Sequence, residues 1–433
     1  MKRQARKASA RSSATRSLPA SYRTLLLAAV LVAITANAYA PVFRCGYIWD
    51  DDSYVTRNDT LHSADGLRRI WFEVGATPQY YPLVFTSFWI EYQLFGLNPA
   101  VGHAINVLLH CAAALLVWRV LLALGLPAPV AWLAALIFGI HPVHVESVAW
   151  ITERKNVLSG VCYLASLLAY LQFDERDRAP EDSQQHQRRW RYYALAVILF
   201  VAALLSKTVT ASLPVAILLL LWYRYGRVRL GDLARVVPFV ALGIGLGLVT
   251  VWLERHLVGA VGEEWNLSLV ERVLLAGRAA WFYTCKLLWP HPLIFVYPRW
   301  NVDAAVAWQY LYPAAALGLV ARLWIKRSAL GRGPLVAVLF FLISLAPALG
   351  FVNVFPMRYS YVADHFQYLA SLGIITLMAG VAWQVYGYAA ESARPAVALF
   401  GLVCLATLAT LTWRQIDDYV DIETLWRNTL AKN

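Results

Sequence analysis

Apolar segments of about 20 residues, the length a helix needs to cross the hydrocarbon of a bilayer, recur from Tyr22 to Trp413. Only short polar or Pro- and Gly-containing breaks separate them. Hydrophobic residues fill 60% of 433 positions and charged ones 15%, more apolar surface than one soluble core can hide, so lipid must be the solvent for much of the chain. The expected fold class is an all-α polytopic integral membrane protein with no separate soluble domain of any size.

The net charge of +12 comes from Lys and Arg in short loops between apolar runs, not from one basic face. That pattern reads as a topology signal, and no nucleic acid partner is expected. Five cysteines (Cys45, Cys111, Cys162, Cys285, Cys404) form no Cys-x-x-Cys pair and read as small hydrophobes.

The first 23 residues carry Lys2, Arg3, Arg6, Lys7, Arg11, Arg16 and Arg23 and no acid, which holds this end in the cytoplasm. The run Leu25 to Val42 follows. It ends in Ala36-Asn37-Ala38-Tyr39-Ala40, similar to a signal-peptidase site, so it is either a retained span or a cleaved signal peptide. Either way Arg44 emerges outside.

Further spans are expected at Pro99–Leu122, Ala128–His141, Val157–Phe173, Tyr192–Leu205, Val209–Tyr223, Val236–Leu253, Ala304–Leu323, Pro334–Gly350, Phe366–Val385 and Ala396–Trp413. Counting Val273–Trp289 as another would put Lys326, Arg327 and Arg332 outside. With its own charges it reads instead as an interfacial or re-entrant helix on the outer surface. The expectation is about eleven spans plus that helix, N-terminus in and C-terminus out. Residues 1–23 form a basic cytoplasmic tail, 24–413 the transmembrane domain with residues 43–98 as a first outer loop, and 414–433 an outer tail.

On this topology the unusual ionisable residues gather at the outer face. The first loop opens with Asp50-Asp51-Asp52, three adjacent acids against Tyr47, Trp49 and Tyr54, so at least one should carry a raised pKa or a cationic partner. His141, His144 and Glu146 follow the third span, and Glu153-Arg154-Lys155-Asn156 precedes the fourth. His-x-x-His-x-Glu has the ligand types for a metal, but Pro142 interrupts the helix between the rings, and a hydrogen-bonded wall or acid/base role fits better. Lys207 sits among Ser206, Thr208 and Thr210 at an outer turn, and Arg358, Asp364 and His365 lie in the last outer loop among tyrosines. A carboxylate to take a proton from a hydroxyl and cations to meet a departing phosphate suggest group transfer from a lipid phosphate.

The acidic pair, the His141-Pro142-Val143-His144-Val145-Glu146 stretch and Tyr368-Leu369-Ala370-Ser371-Leu372-Gly373 together resemble the TMTC-type transmembrane O-mannosyltransferases and their bacterial relatives, within the GT-C glycosyltransferase superfamily. The resemblance runs from about Tyr47 to the C-terminus. It implies an inverting transfer of mannose or a similar hexose from a polyprenyl-phosphate donor to a protein or lipid hydroxyl outside the cytoplasm, without a cofactor. The setting implied is a bacterial inner membrane with the site facing the periplasm, or the lumenal side in a eukaryote.

It also assigns roles. Asp50 and Asp51 match the base and its partner, Glu146 joins them as a catalytic acid, and His141, His144, Arg154 and Asp364 would line the site. Lys207, Arg358 and His365 would hold the donor phosphate. Relatives often have an acid followed by Arg in the late loop, whereas here Asp364 precedes His365. Relatives also carry tetratricopeptide repeats after the last span. Residues 423–433 read like the helix leading into such an array, and no 34-residue repeat occurs within the chain. A polyprenyl-lipid transporter or flippase and an inactive scaffold are the rival readings.

Overall fold

Segments that lie in lipid must satisfy their own backbone hydrogen bonds, and helix is the only regular structure among the described residues. A computed structural model describes residues 20–180, 184–253, 266–352 and 355–433. Lys2, Arg3, Arg6, Lys7, Arg11 and Arg16 of the basic tail, and Asn353 and Val354 of the last outer loop, lie outside the described residues.

The chain begins with α1 (Ala20–Ala38), then crosses a loop region carrying α2 (Ala64–Phe72) and α3 (Pro82–Phe95). α4 (Pro99–Ala123) and α5 (Ala128–Ile140) run antiparallel, and the short α6 (Val145–Ala149) turns the chain into α7 (Arg154–Asp177). The one-turn α8 (Gln184–Gln187), α9 (Arg189–Leu204), α10 (Leu213–Tyr225) and α11 (Leu230–Leu253) come next. α12 (Leu269–Leu288), α13 (Leu311–Ile325), the one-turn α14 (Arg327–Leu330) and α15 (Gly333–Leu345) follow, and α16 (Ser371–Tyr388), α17 (Arg394–Gln415) and α18 (Ile422–Lys432) complete the order.

Local sequence sets these boundaries. Asn98 accepts from the Ala100 N–H and Pro99 opens α4, a start that needs no first-turn donor. Gly226, in the left-handed region at φ 72°, ends α10. A reciprocal Ser268–Glu271 box starts α12.

Every sequence-predicted span falls on a helix, in places extended by a short 3-10 turn. Among the described residues six helical stretches are, by length and apolar composition alone, able to cross a membrane, and the bent pair Ala128–Ile140 with Pro142–Ala149 makes a seventh. In α17 only 6% of the most apolar stretch is buried by protein, so this helix is built to meet lipid. α12, read from sequence as interfacial, carries Glu271, Arg272, Arg278 and Lys286 and is not among those six. Ala276, Ala279, Tyr283 and Leu287 form a buried stripe along it, and the helix packs on α13 and α16.

α7 is the central element, packed against α4 and α9, and its 24 residues span ~36 Å. One end meets an Arg–Asp lattice, in which Arg178 binds Asp174 at 2.7 Å and Asp232 at 3.1 Å, and Asp177 binds Arg235 at 2.9 Å. The other end carries the cluster described below. The C-terminal ends of α1 and α17 meet on the cluster side, where Arg44 pairs with Asp417 at 3.0 Å and Val420 accepts from the Gly46 N–H. The start of α1 and the final helix α18 therefore lie at opposite ends of the bundle.

Candidate active site

The three adjacent acids part company in the structure. Asp51 is buried, and its carboxylate accepts from the Ile48 N–H at 2.8 Å, the Thr152 N–H at 2.8 Å and the Thr152 hydroxyl at 2.6 Å. It ties the first loop to the segment before α7. Burial nevertheless pushes it up to about 6. Asp52 faces solvent and pairs with Arg57 at 3.3 Å. Asp50 is half-buried, and among the described residues no hydrogen bond or ion pair reaches its carboxylate. Burial raises its pKa, opposed by the charge of Lys155. The residue before it, Trp49, sits at φ 46°, a conformation that costs a bulky residue about 1–3 kcal/mol and is most often retained at functional sites.

Beside Asp50 lies a set of ions organised by Glu153, at the start of the α7 span. One carboxylate oxygen is 2.9 Å from the Lys155 ammonium; the other accepts from Lys207 at 3.2 Å and from the Asn156 amide at 2.6 Å. Asn156 in turn accepts from Lys207 at 2.7 Å and donates to the His365 carbonyl at 3.0 Å. Lys155 also rests over the rings of Tyr54 and Trp150. Burial pushes Lys207 down to about 8, against the attraction of Glu153.

Glu146 holds the late loop. It accepts from the His365 N–H at 2.9 Å, and its other oxygen is 2.9 Å from His365 Nδ1. His365 Nε2 is 4.0 Å from Glu153, which joins the two halves of the cluster. Asp364 is buried and accepts from the Tyr297 hydroxyl at 3.0 and 3.1 Å; burial, reinforced by the negative charge of Glu146, raises it well above the carboxylate range. An aromatic rim borders Asp50: Trp49 packs edge-on against Trp426 of α18 at 4.9 Å, and Phe295 bridges to Trp150 at 5.2 Å.

The structure thus brings together Asp50, Asp51, Glu146, Lys207, Asp364 and His365 and leaves out four residues expected at the site. Arg154 points away, fully buried, donating to Glu91, to Asn106 at 3.0 Å and to the Gly102 carbonyl at 3.0 Å while covering the Phe88 ring. It is a strut between α3, α4 and α7 and not a site wall. Arg358 is exposed on the turn Phe355–Arg358, outside the cluster. His141 and His144 are fully buried, engaged with the carbonyls of Leu287 at 3.0 Å and Phe138 at 2.8 Å. They fasten the break between α5 and α6 together with His110, which sequence reading missed. Glu153 and Lys155 were also missed as site residues, although the charge run at the head of the fourth span was their visible signal. Among the described residues no group of three or more His, Cys, Asp or Glu side chains is arranged to hold a metal ion.

Fold and cluster together define a helical protein built to cross a membrane, with a buried acid–base centre at one end. No family model matches the chain. Among curated proteins it is 29% identical to the mouse protein O-mannosyl-transferase TMTC3 over 187 residues, 41% of this chain and 19% of that one. Against Drosophila melanogaster Tmtc1 the identity is 32% over 181 residues, 39% and 19% of the two chains, and against Drosophila Tmtc2 it is 27% over 314 residues, 67% and 31%. The chain is thus similar to the TMTC-type protein O-mannosyltransferases and spans about a fifth to a third of the length of these three. A solved Archaeoglobus fulgidus oligosaccharyltransferase, crystallised with a tethered acceptor peptide, aligns over 91% of this chain and 55% of its own with a TM-score of 0.45 and 13% identity.

Proposed function

We propose that the protein is a GT-C-type membrane glycosyltransferase that moves a hexose, mannose in the first instance, from a polyprenyl-phosphate donor to a hydroxyl of a protein or glycolipid acceptor. The cluster end faces the side opposite the cytoplasm, the periplasm in a bacterial inner membrane. No cofactor is required.

The observation that carries this reading is a free, half-buried carboxylate, Asp50, beside two lysines that converge on one carboxylate. Asp50 takes the acceptor proton as the hydroxyl oxygen forms its bond to the anomeric carbon; the bond from that carbon to the phosphate oxygen breaks, and its electron pair stays with the phosphate. Lys155 and Lys207 meet that charge in place of Glu153, and His365 adds a ring donor. Attack from the face opposite the phosphate inverts the anomeric centre. Asp51 positions Asp50 by holding the loop to Thr152.

The test is a pair of isosteric changes in the full chain, assayed with a polyprenyl-phosphate mannose. Asp50→Asn should abolish transfer, by about 10³-fold or more, with donor binding kept. Asp51→Asn should lower transfer and also destabilise the protein by about 1–3 kcal/mol, because its new amide turns a donor toward the Ile48 N–H. Transfer unchanged in Asp50→Asn would overturn the mechanism. A transporter would instead keep lipid movement in both variants.

A further inference from the structure

At the far end of the bundle from the acid–base cluster, α4, α7, α10, α15 and α16 enclose a cavity of about 460 Å³. Its floor is apolar and deeply buried, formed by Val117, Leu164, Phe340 and Leu372. Its mouth is exposed and lies beside Arg332, Tyr223 and Trp383. Water makes few hydrogen bonds to such walls, so an apolar space of this size favours an apolar occupant. A hydrocarbon chain is the occupant that fits the walls. The exposed Arg332 guanidinium at the opening, which reaches the Tyr223 carbonyl there at 3.4 Å, selects a negatively charged head.

We infer that this cavity is a structural lipid site that takes one acyl chain of an anionic bilayer phospholipid, its phosphate on Arg332. It is not the donor site: His365 of the cluster lies just before α16, whose residues from Ser371 to Gln384 at the mouth cover ~20 Å. A phosphate on Arg332 is out of reach of Lys155 and Lys207.

Gly380 offers a clean way to close the cavity. It lines the wall within α16, and a Cβ there would meet nothing within 4 Å. The full chain, purified in mild detergent from nanodiscs of mixed phosphatidylglycerol and phosphatidylcholine, is examined by native mass spectrometry. The wild type should retain one phospholipid per chain, with phosphatidylglycerol preferred about tenfold. Arg332→Gln should keep a lipid and lose the preference, and Gly380→Phe should lose the lipid. Gly380→Leu serves the same purpose if the Phe variant does not elute as a folded species. A wild type that retains no phospholipid, retains both lipids equally, or binds as well with Gly380 filled overturns the inference.

Discussion

Three consecutive aspartates show how little a side chain's identity says about its role. Asp51 is consumed by Ile48 and Thr152, Asp52 by Arg57, and only Asp50 keeps a carboxylate to offer. The acidic motif was legible in the sequence, but the choice among its members was not. It depends on Thr152, about a hundred positions away, reaching one acid and not its neighbours. Arg154 and Lys155 show the same limit: adjacent on one helix, they take different partners, one Glu91 and the other Glu153. With the roles given to Asp50 and Lys207 in the proposed mechanism, these environments predict a bell-shaped pH profile for kcat/KM. Asp50 must be ionised to accept a proton, and burial raises its pKa, so the acid limb should lie above the usual carboxylate range of about 4. Lys207 must be charged to hold phosphate and is pushed down to about 8, so activity should fall as pH rises through that value. Lys207→Arg should carry the alkaline limb upward, because a guanidinium does not discharge in this range. A limb that stays near 8 in that variant would separate Lys207 from the phosphate.

Helices were the most legible elements, because each apolar run long enough to enter lipid must coil to satisfy its backbone. The short pieces were not legible. The break between α5 and α6 was visible as Pro142, yet its fastening by His110, His141 and His144 to main-chain carbonyls depends on helices distant in sequence. The late-loop motif likewise holds a residue whose reason is packing. A Cβ on Gly373 would sit 2.3 Å from the Ala337 carbonyl, so α15 and α16 touch backbone to backbone there. Gly373→Val should force the pair apart and lower stability by about 1–3 kcal/mol, whereas Gly401→Val on α17, where a Cβ meets nothing within 4 Å, should be nearly neutral. Thermal melting in detergent distinguishes them; equal loss at both positions would refute the packing account.

Taken whole, the molecule keeps two charged ends apart across α7, and their designs differ. At one end Asp174, Asp177 and Asp232 are matched by Arg178, Arg189 and Arg235, a lattice suited to standing still. At the other, Lys155 and Lys207 both pair with the single buried carboxylate of Glu153. On the proposed mechanism Glu153 acts as a tethered inhibitor: an anion fixed beside the lysines at high local concentration, which an arriving phosphate would have to displace before it binds. Any affinity measured for a donor is then a net quantity, intrinsic attraction less the hold of this internal rival. Removing the rival's charge with Glu153→Gln should tighten the binding of a polyprenyl phosphate by about tenfold, as read by titration, and should slow product departure in the same measure. On that view the carboxylate between the lysines sets the pace at which spent carrier leaves and the next donor enters.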